Sequence, residues 1–225
     1  MNIKTLLTTA ALLAPVSVFA SPGGSGLPGV DLSGFVGYNF VEFGDGIETV
    51  EPEGIDLGLR GKVFLGNSGL FLGGEYTYSD TDTQFLGSKL TYEGSEFRLG
   101  GGMLIPVTPV FRLGGYGHYV NQEVDTRFDG FTTTGEASGY DVGALIEYDA
   151  APGIQTYGRI GYMNLSPEGS DDDEARVDGV DLLAGMSFKM SRNLSLFGEY
   201  RYTHLENDFS EQDYSSVRGG VRLTY

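Results

Sequence analysis

Apolar and polar residues alternate along most of this chain. In the last nine residues, Val217, Val221 and Leu223 lie on one side of an extended backbone, and Arg218 and Arg222 lie on the other. An alternation with a period of two predicts a β-strand with one apolar and one polar face. Ten segments carry this pattern, at about 31–43, 54–65, 70–79, 93–104, 110–122, 137–148, 154–165, 177–190, 194–204 and 214–225.

The connections between these segments alternate in length. Four are short turns, at 66–69, 105–109, 149–153 and 191–193, and five are longer and polar, at 44–53, 80–92, 123–136, 166–176 and 205–213. Each segment is long enough to cross a bilayer at a tilt, which takes about 9–11 residues. Short turns at one end and long loops at the other are typical of membrane barrels. We therefore predict an all-β fold, a closed antiparallel up-and-down transmembrane β-barrel of about ten strands, with eight strands as the alternative.

The apolar face carries aromatic residues near both ends of the strands. Such rings favour the interface between lipid and water, so two girdles are expected on the outside of the barrel. The outer girdle would contain Tyr38, Phe40, Tyr76, Tyr78, Tyr119, Tyr140, Tyr162, Tyr200 and Tyr202. The inner girdle would contain Phe111, Tyr148, Phe188 and Tyr225.

The opposite face is polar and charged, with acids and bases in near balance, and is predicted to line the lumen. One interpretation is a network of paired side chains that leaves the barrel closed, because unpaired charges in a poorly hydrated interior are costly. The other is a small channel with an arginine-rich constriction. The predicted lumen-lining residues are Arg60, Glu75, Glu96, Arg98, Arg112, His118, Asp141, Glu147, Arg159, Asp181, Glu199, Arg201, Arg218 and Arg222.

Glycines recur on this inward face, and they allow two interpretations. They leave room for water, or they let large neighbouring side chains fold over them. The positions concerned are Gly58, Gly73, Gly100, Gly102, Gly114 and Gly143.

The N-terminus has the organisation of a secretory signal peptide. Lys4 supplies a positive charge, an apolar stretch follows at 6–19, and small residues precede the predicted cleavage after Ala20. The stretch is too short to span a membrane. We therefore expect a signal peptide at 1–20, a flexible lead-in at 21–29, and a barrel domain at 30–225.

Composition agrees with a sheet-rich envelope protein. Glycine accounts for 36 of 225 residues, more than long helices tolerate, and the chain contains no cysteine. Without cysteine, neither disulfides nor thiol chemistry are available. The formal net charge of −17 argues against nucleic acid as a partner.

Taken with the signal peptide and the loop asymmetry, the C-terminal strand ending on an aromatic residue resembles the assembly signal of bacterial outer-membrane barrels. Val221, Leu223 and Tyr225 would form that signal. The chain resembles the small outer-membrane β-barrel proteins of the porin-family or opacity type, with an OmpA-like barrel domain. This resemblance implies the outer membrane of a Gram-negative bacterium, and as partners outer-membrane lipid, lipopolysaccharide, the barrel-assembly machinery and periplasmic chaperones. We expect a monomer without a cofactor.

The long loops are acidic, and their oxygen ligands suit Ca²⁺ or Mg²⁺. The densest run is Asp171, Asp172, Asp173 and Glu174, a weak metal candidate because a solvated run of like charge explains it equally well. Catalysis is not expected, since the chain has two histidines, His118 and His204, and no local catalytic motif surrounds either.

Three functions remain open from sequence. The first is a porin-like barrel with a narrow charged lumen that passes small solutes or ions. The second is a closed structural or adhesive barrel whose acidic loops bind divalent cations, lipopolysaccharide or a host ligand. The third and most remote is an omptin-like rim protease, in which Asp80 and Asp82 would face His204 across the rim.

Overall fold

The computed structural model describes residues 29–44, 49–50, 52–85, 88–168, 176–207 and 211–225. These ranges contain eleven strands: β1 (Val30–Gly44), β2 (Thr49–Val50), β3 (Glu53–Phe64), β4 (Leu70–Phe85), β5 (Ser88–Pro106), β6 (Phe111–Phe128), β7 (Phe131–Ala151), β8 (Ile154–Pro167), β9 (Val177–Lys189), β10 (Leu194–Glu206) and β11 (Glu211–Thr224). Over the same ranges we find no helix with the length and apolar character needed to cross a membrane. The predicted signal peptide at 1–20 and nearly all of the lead-in lie outside the described residues.

Ten of these strands form a closed antiparallel ring. Each strand pairs with its neighbour along the chain, and β11 returns to pair with β1 over almost its whole length. Tyr225 and Val30 complete this seam with two backbone hydrogen bonds, of 2.9 and 3.0 Å. The two-residue β2 pairs only with the end of β1. Closure leaves the ring without an unpaired edge, as lipid requires. The prediction of ten strands is confirmed, and the eight-strand alternative is wrong.

The short turns follow from local chemistry. Gly66 and Gly69 have φ angles of 65° and 77°, in the left-handed region that glycine tolerates best, and they close the turn between β3 and β4. Gly153, with φ of 82°, closes the turn between β7 and β8 after a register shift between Asp149 and Ala151. These tight turns fix the register of the strands on either side.

Two of the five predicted long loops are strands instead. The expected loops at 80–92 and 123–136 continue the ladders of β4–β5 and β6–β7, as far as Phe85 opposite Ser88 and Phe128 opposite Phe131. Asp129 and Gly130, both with positive φ, form the two-residue hairpin turn at the tip of β6–β7. Beyond the membrane both faces of a hairpin meet water, so no apolar alternation marks these strands in the sequence.

The outward face is the apolar one, as predicted. Leu57 and Leu59 of β3 and Val142 of β7 project outward in the middle of the wall. Tyrosines mark the outer end, where Tyr119 pairs with Tyr140 and the ring centroids of Tyr140 and Tyr162 are 6.5 Å apart. Val221 and Leu223 of β11, and Tyr225 directly after it, also project outward, and their role as an assembly signal stays a prediction.

The inside of the barrel is filled in three layers, and it is less polar than the sequence predicts. Near the long connections an upper apolar cluster contains Val120, Met163, Leu165 and Leu205. Near the short turns a lower cluster contains Phe64, Phe71 and Tyr116. Charged side chains occupy the height between these clusters. The barrel therefore resembles a packed protein interior along much of its axis.

Aromatic rings on the inward face lie over glycines of the neighbouring strand. A Cβ atom added at Gly58 would stand 2.2 Å from Cζ of Phe35, and one added at Gly102 would stand 2.6 Å from Cζ of Phe71. Tyr157 covers Gly185 in the same way. Of the two interpretations that the sequence leaves open for the inner glycines, folding of large side chains over them is the one found at Gly58 and Gly102.

This packing predicts that Gly220→Ala destabilises the barrel by about 1–3 kcal/mol, the usual cost of overpacking. A Cβ atom there would stand 2.2 Å from the backbone oxygen of Gly34 and 2.7 Å from the Phe197 ring. Gly219→Ala is the matched control on the same strand, because its nearest neighbour would be 3.8 Å away. Urea unfolding in liposomes measures both variants, and equal costs would refute the packing described here.

Candidate functional site

The charged layer has two halves, and Arg98 of β5 is the centre of the first. Its Nη1 donates to Oδ2 of Asp141 at 2.6 Å and to Oδ2 of Asp181 at 3.2 Å, and its Nε donates to Glu96 at 2.9 Å. Asp181 also accepts from Arg159 at 2.6 Å. Arg98 is 1% exposed, so this cation is neutralised by fixed carboxylates rather than by water.

Arg201 of β10 connects the same half to the far wall. Its Nη1 and Nη2 donate to the two oxygens of Glu96 at 2.7 and 3.0 Å, and its Nε donates to Asp181 at 2.9 Å. In the ring, four strands separate β5 from β10 in either direction. The bidentate Glu96–Arg201 pair therefore spans the full width of the lumen.

The second half is built around Arg218 of β11 and Arg60 of β3. Arg218 donates to Glu75 and to Asp56, each at 3.2 Å. Arg60 donates to Glu75 at 2.7 Å and to Glu199 of β10 at 2.8 Å. Arg60 and Glu75 are paired on adjacent strands. The other contacts of this half join strands that are not neighbours in the ring, so they cross part of the lumen beside the first half.

Hydroxyl and amide groups complete this half, and they are the residues that the sequence-based list lacks. Asp56 accepts hydrogen bonds from Ser79 and Ser216, each at 2.7 Å, and from Asn39 and Tyr214. Their positions in the alternation place all of them on the inward face. The sequence therefore shows that these groups face the lumen, although it does not show which charged side chain each of them contacts.

The remaining predicted lumen residues lie below the charged layer or at its side. Arg112 pairs with Asp149 at 2.7 Å and with Glu147 at 3.2 Å near the short turns. The guanidinium of Arg222 stacks on the ring of Tyr157, with its carbon 5.0 Å from the ring centroid. Nδ1 of His118 is 3.9 Å from Asp141. Arg112 and Arg222 are therefore engaged by partners on the inner wall, whereas the distance from His118 to Asp141 is too long for a hydrogen bond.

Two small cavities flank the charged layer. The upper one, of about 110 Å³, has Glu96 and Arg201 in its wall, together with Thr77, Gln122 and Tyr214. The lower one, of about 120 Å³, is lined by residues that include Arg60, Glu75, Arg98, His118 and Arg222. Cavities of this size have room for a few water molecules. The crossing arginines and carboxylates separate them.

The proposed rim constellation of a protease is not assembled. His204 contacts Asp213, Glu206 and Glu211, and across the described ranges neither Asp80 nor Asp82 is among its contacts. Asp82 instead pairs with Lys89, at 3.3 Å. The hydrogen bond with Asp213, beyond the tyrosine girdle, raises the pKa of the His204 imidazole. The weak metal candidates Asp171, Asp172, Asp173 and Glu174 lie outside the described residues.

Comparison with known proteins assigns the family. A family model described as the outer membrane protein beta-barrel domain matches residues 6–182. The chain belongs to this family. No curated protein matches the sequence significantly. Membership places the chain among outer-membrane barrels, in agreement with the closed ring and its apolar outward face.

Solved members of the wider fold are similar in structure and remote in sequence. The β-domain of the Bordetella autotransporter BrkA matches with a TM-score of 0.55 and 14% identity, over 86% of this chain and 99% of that one. The outer membrane protease OmpT from Escherichia coli matches with a TM-score of 0.54 and 10% identity, over 87% and 95%. The transport unit of the E. coli autotransporter AIDA-I matches with a TM-score of 0.52 and 13% identity, over 97% of each chain. At sequence identities this low, the structural similarity shows a shared fold and no more.

Proposed function

We propose that this outer-membrane barrel is closed to solutes and that it acts through the surface that it presents outside the membrane. The observation that carries the proposal is the Glu96–Arg201 pair, whose 2.7 and 3.0 Å contacts cross the lumen between opposite strands. A solute would have to separate this pair to pass. Separation would leave two charges without partners in a narrow interior, which is strongly unfavourable.

The second support is the redundancy of the crossing contacts. Arg60 reaches Glu199, Arg98 reaches Asp181, and Arg218 with Glu75 forms a further bridge. Rotation of one side chain would leave the other bridges in place, because each bridge uses a different arginine and a different carboxylate. Charge-assisted contacts of this kind are shorter and stronger than neutral hydrogen bonds.

The surface available for contact is the pair of hairpins that extend beyond the girdle. From Tyr119 to Phe128, β6 continues for nine residues past the tyrosine pair, roughly 30 Å of strand. Arg127 and Glu93 link β6 to β5 there through a 2.9 Å ion pair. Phe131, 78% exposed, lies at the tip. A closed barrel would thus hold a polar hairpin with an apolar tip outside the cell.

The porin-like function remains the second candidate, because cavities lie on both sides of the charged layer. It requires that the layer open far enough to join them. Passage of small solutes into liposomes distinguishes the two functions. Vesicles that contain the wild-type protein should swell no faster than empty vesicles in an isotonic pentose solution.

The double variant Glu96→Ala/Arg201→Ala makes the test specific. It removes one cation and one anion together, so the charge balance of the layer is kept while the bridge across the lumen is lost. We expect it to swell measurably faster than wild type. Glu93→Ala/Arg127→Ala is the matched control, because it removes an equivalent ion pair outside the membrane. Rapid swelling with the wild-type protein would reject the closed barrel and favour the porin-like function.

A further inference from the structure

A second cluster of ionisable side chains lies on the outside of the barrel, at the extracellular end of β10 and β11. His204 and Asp213 are directly opposite each other in the ladder, and Glu206 and Glu211 form the corresponding pair two residues further out. Nδ1 of His204 is 2.9 Å from Oδ1 of Asp213 and 3.8 Å from Oε1 of Glu211. The cluster is thus fixed by strand register rather than by a loop.

The separations between donor atoms fit a metal ion. One donor atom from each of His204, Glu211 and Asp213 can be chosen so that all three lie within 4.8 Å of one another. Two ligands of a tetrahedral zinc ion, each about 2.0–2.1 Å from the metal, are about 3.3 Å apart. The distances found here lie on both sides of that value. Small side-chain rotations therefore bring the three donors around one ion.

The surroundings of the cluster favour a cation with a preference for nitrogen. Three carboxylates, those of Glu206, Glu211 and Asp213, surround one imidazole, so a divalent ion would reduce the repulsion among them. The hydroxyl of Tyr202 donates to Oδ1 of Asp213 at 2.6 Å and orients that carboxylate, as outer-shell partners of metal ligands do. Imidazole suits Zn²⁺ and related transition metals, whereas Ca²⁺ and Mg²⁺ prefer oxygen alone.

We propose that His204, Glu211 and Asp213 form a binding site for a divalent transition-metal ion of the Zn²⁺ class on the outer rim of the barrel wall. Three protein ligands leave a fourth position for water or for an anionic group from outside. The site faces away from the lumen, so it does not depend on whether the barrel conducts. In the sequence it is distinct from the acidic run at 171–174, which contains no histidine.

Titration of the detergent-refolded protein with ZnCl₂ by isothermal calorimetry tests the site. We expect one tight Zn²⁺ per wild-type chain and a loss of affinity of at least tenfold in His204→Ala. The matched control is His118→Ala in the lumen, which should bind as wild type does, since these two are the only histidines and there is no cysteine. Heat-modifiable gel mobility confirms that each variant is folded.

A second variant keeps all three ligands. Tyr202→Phe removes only the hydroxyl that orients Asp213, and it should weaken Zn²⁺ binding by about tenfold. The titration is repeated with Mg²⁺ in large excess, which should leave the Zn²⁺ affinity nearly unchanged. The proposal is overturned if His204→Ala binds Zn²⁺ as tightly as wild type, or if Mg²⁺ abolishes the binding and so reveals a nonspecific acidic surface.

Discussion

Replacing Arg98 with alanine should lower the free energy of unfolding by about 3–5 kcal/mol, the usual cost of removing one partner of a buried ion pair. Arg98 is 1% exposed and binds Glu96, Asp141 and Asp181. Its loss leaves those carboxylates with fewer cations in the middle of the barrel, where water cannot fully replace them. Because the chain has no tryptophan, circular dichroism or gel mobility should follow urea unfolding in liposomes.

Arg127→Ala provides the control for this prediction. Arg127 forms a 2.9 Å ion pair with Glu93, the same length as the Arg98–Glu96 pair, but its side chain is 50% exposed and lies beyond the girdle. Exposed ion pairs of this kind contribute about 0–1 kcal/mol. If Arg98→Ala and Arg127→Ala proved equally mild, the charged layer would be well hydrated, and the case for a closed lumen would lose its energetic basis.

Leu59→Arg should destabilise the barrel by about 2–4 kcal/mol, because it places a charge on the lipid face near the centre of the bilayer. Leu59 projects outward from the middle of β3, between the inward-facing Gly58 and Arg60. A cation there cannot reach the polar lumen through the closed sheet. The same unfolding experiment in liposomes measures the effect.

A second position on the same strand and the same face, at a different depth in the membrane, provides the control. Ile55 lies four residues from Leu59 and pairs with Tyr38 of the outer girdle, so Ile55→Arg places the cation at the interface. Its cost should fall to about 0–1 kcal/mol. Equal costs at the two positions would mean that this face of β3 does not contact lipid as described. An error of one residue in the register, which exchanges the two faces of the strand, would account for such a result.

The alternation in the sequence is sufficient to predict the strands and their faces. A membrane barrel has lipid on one side and polar groups on the other, so the period-two signal is strong wherever the strand is inside the bilayer. It fails where β4 to β7 continue into water, and the strands there are longer than predicted. It also does not show which inward aromatic covers which glycine, as Phe35 covers Gly58, because the two residues lie on neighbouring strands.

The site is harder to predict from sequence than the fold. The alternation indicates which residues share a face, but the contacts that close the lumen join positions far apart in the chain. Glu96 and Arg201 are separated by 105 residues and share no local motif. Their meeting depends on ten strands closing with one register. His204 similarly acquires Asp213 and Glu211 as partners only when β10 and β11 are paired.

The closed lumen is tested most directly by single-channel recording of the refolded wild-type protein in a planar bilayer. Gel mobility first establishes that a barrel has formed. A charged layer that spans the lumen predicts no discrete conductance steps, even at high protein load. Reproducible steps from the folded wild-type barrel would contradict it, and would mean that the contacts around Arg98 and Arg201 open under the conditions of transport.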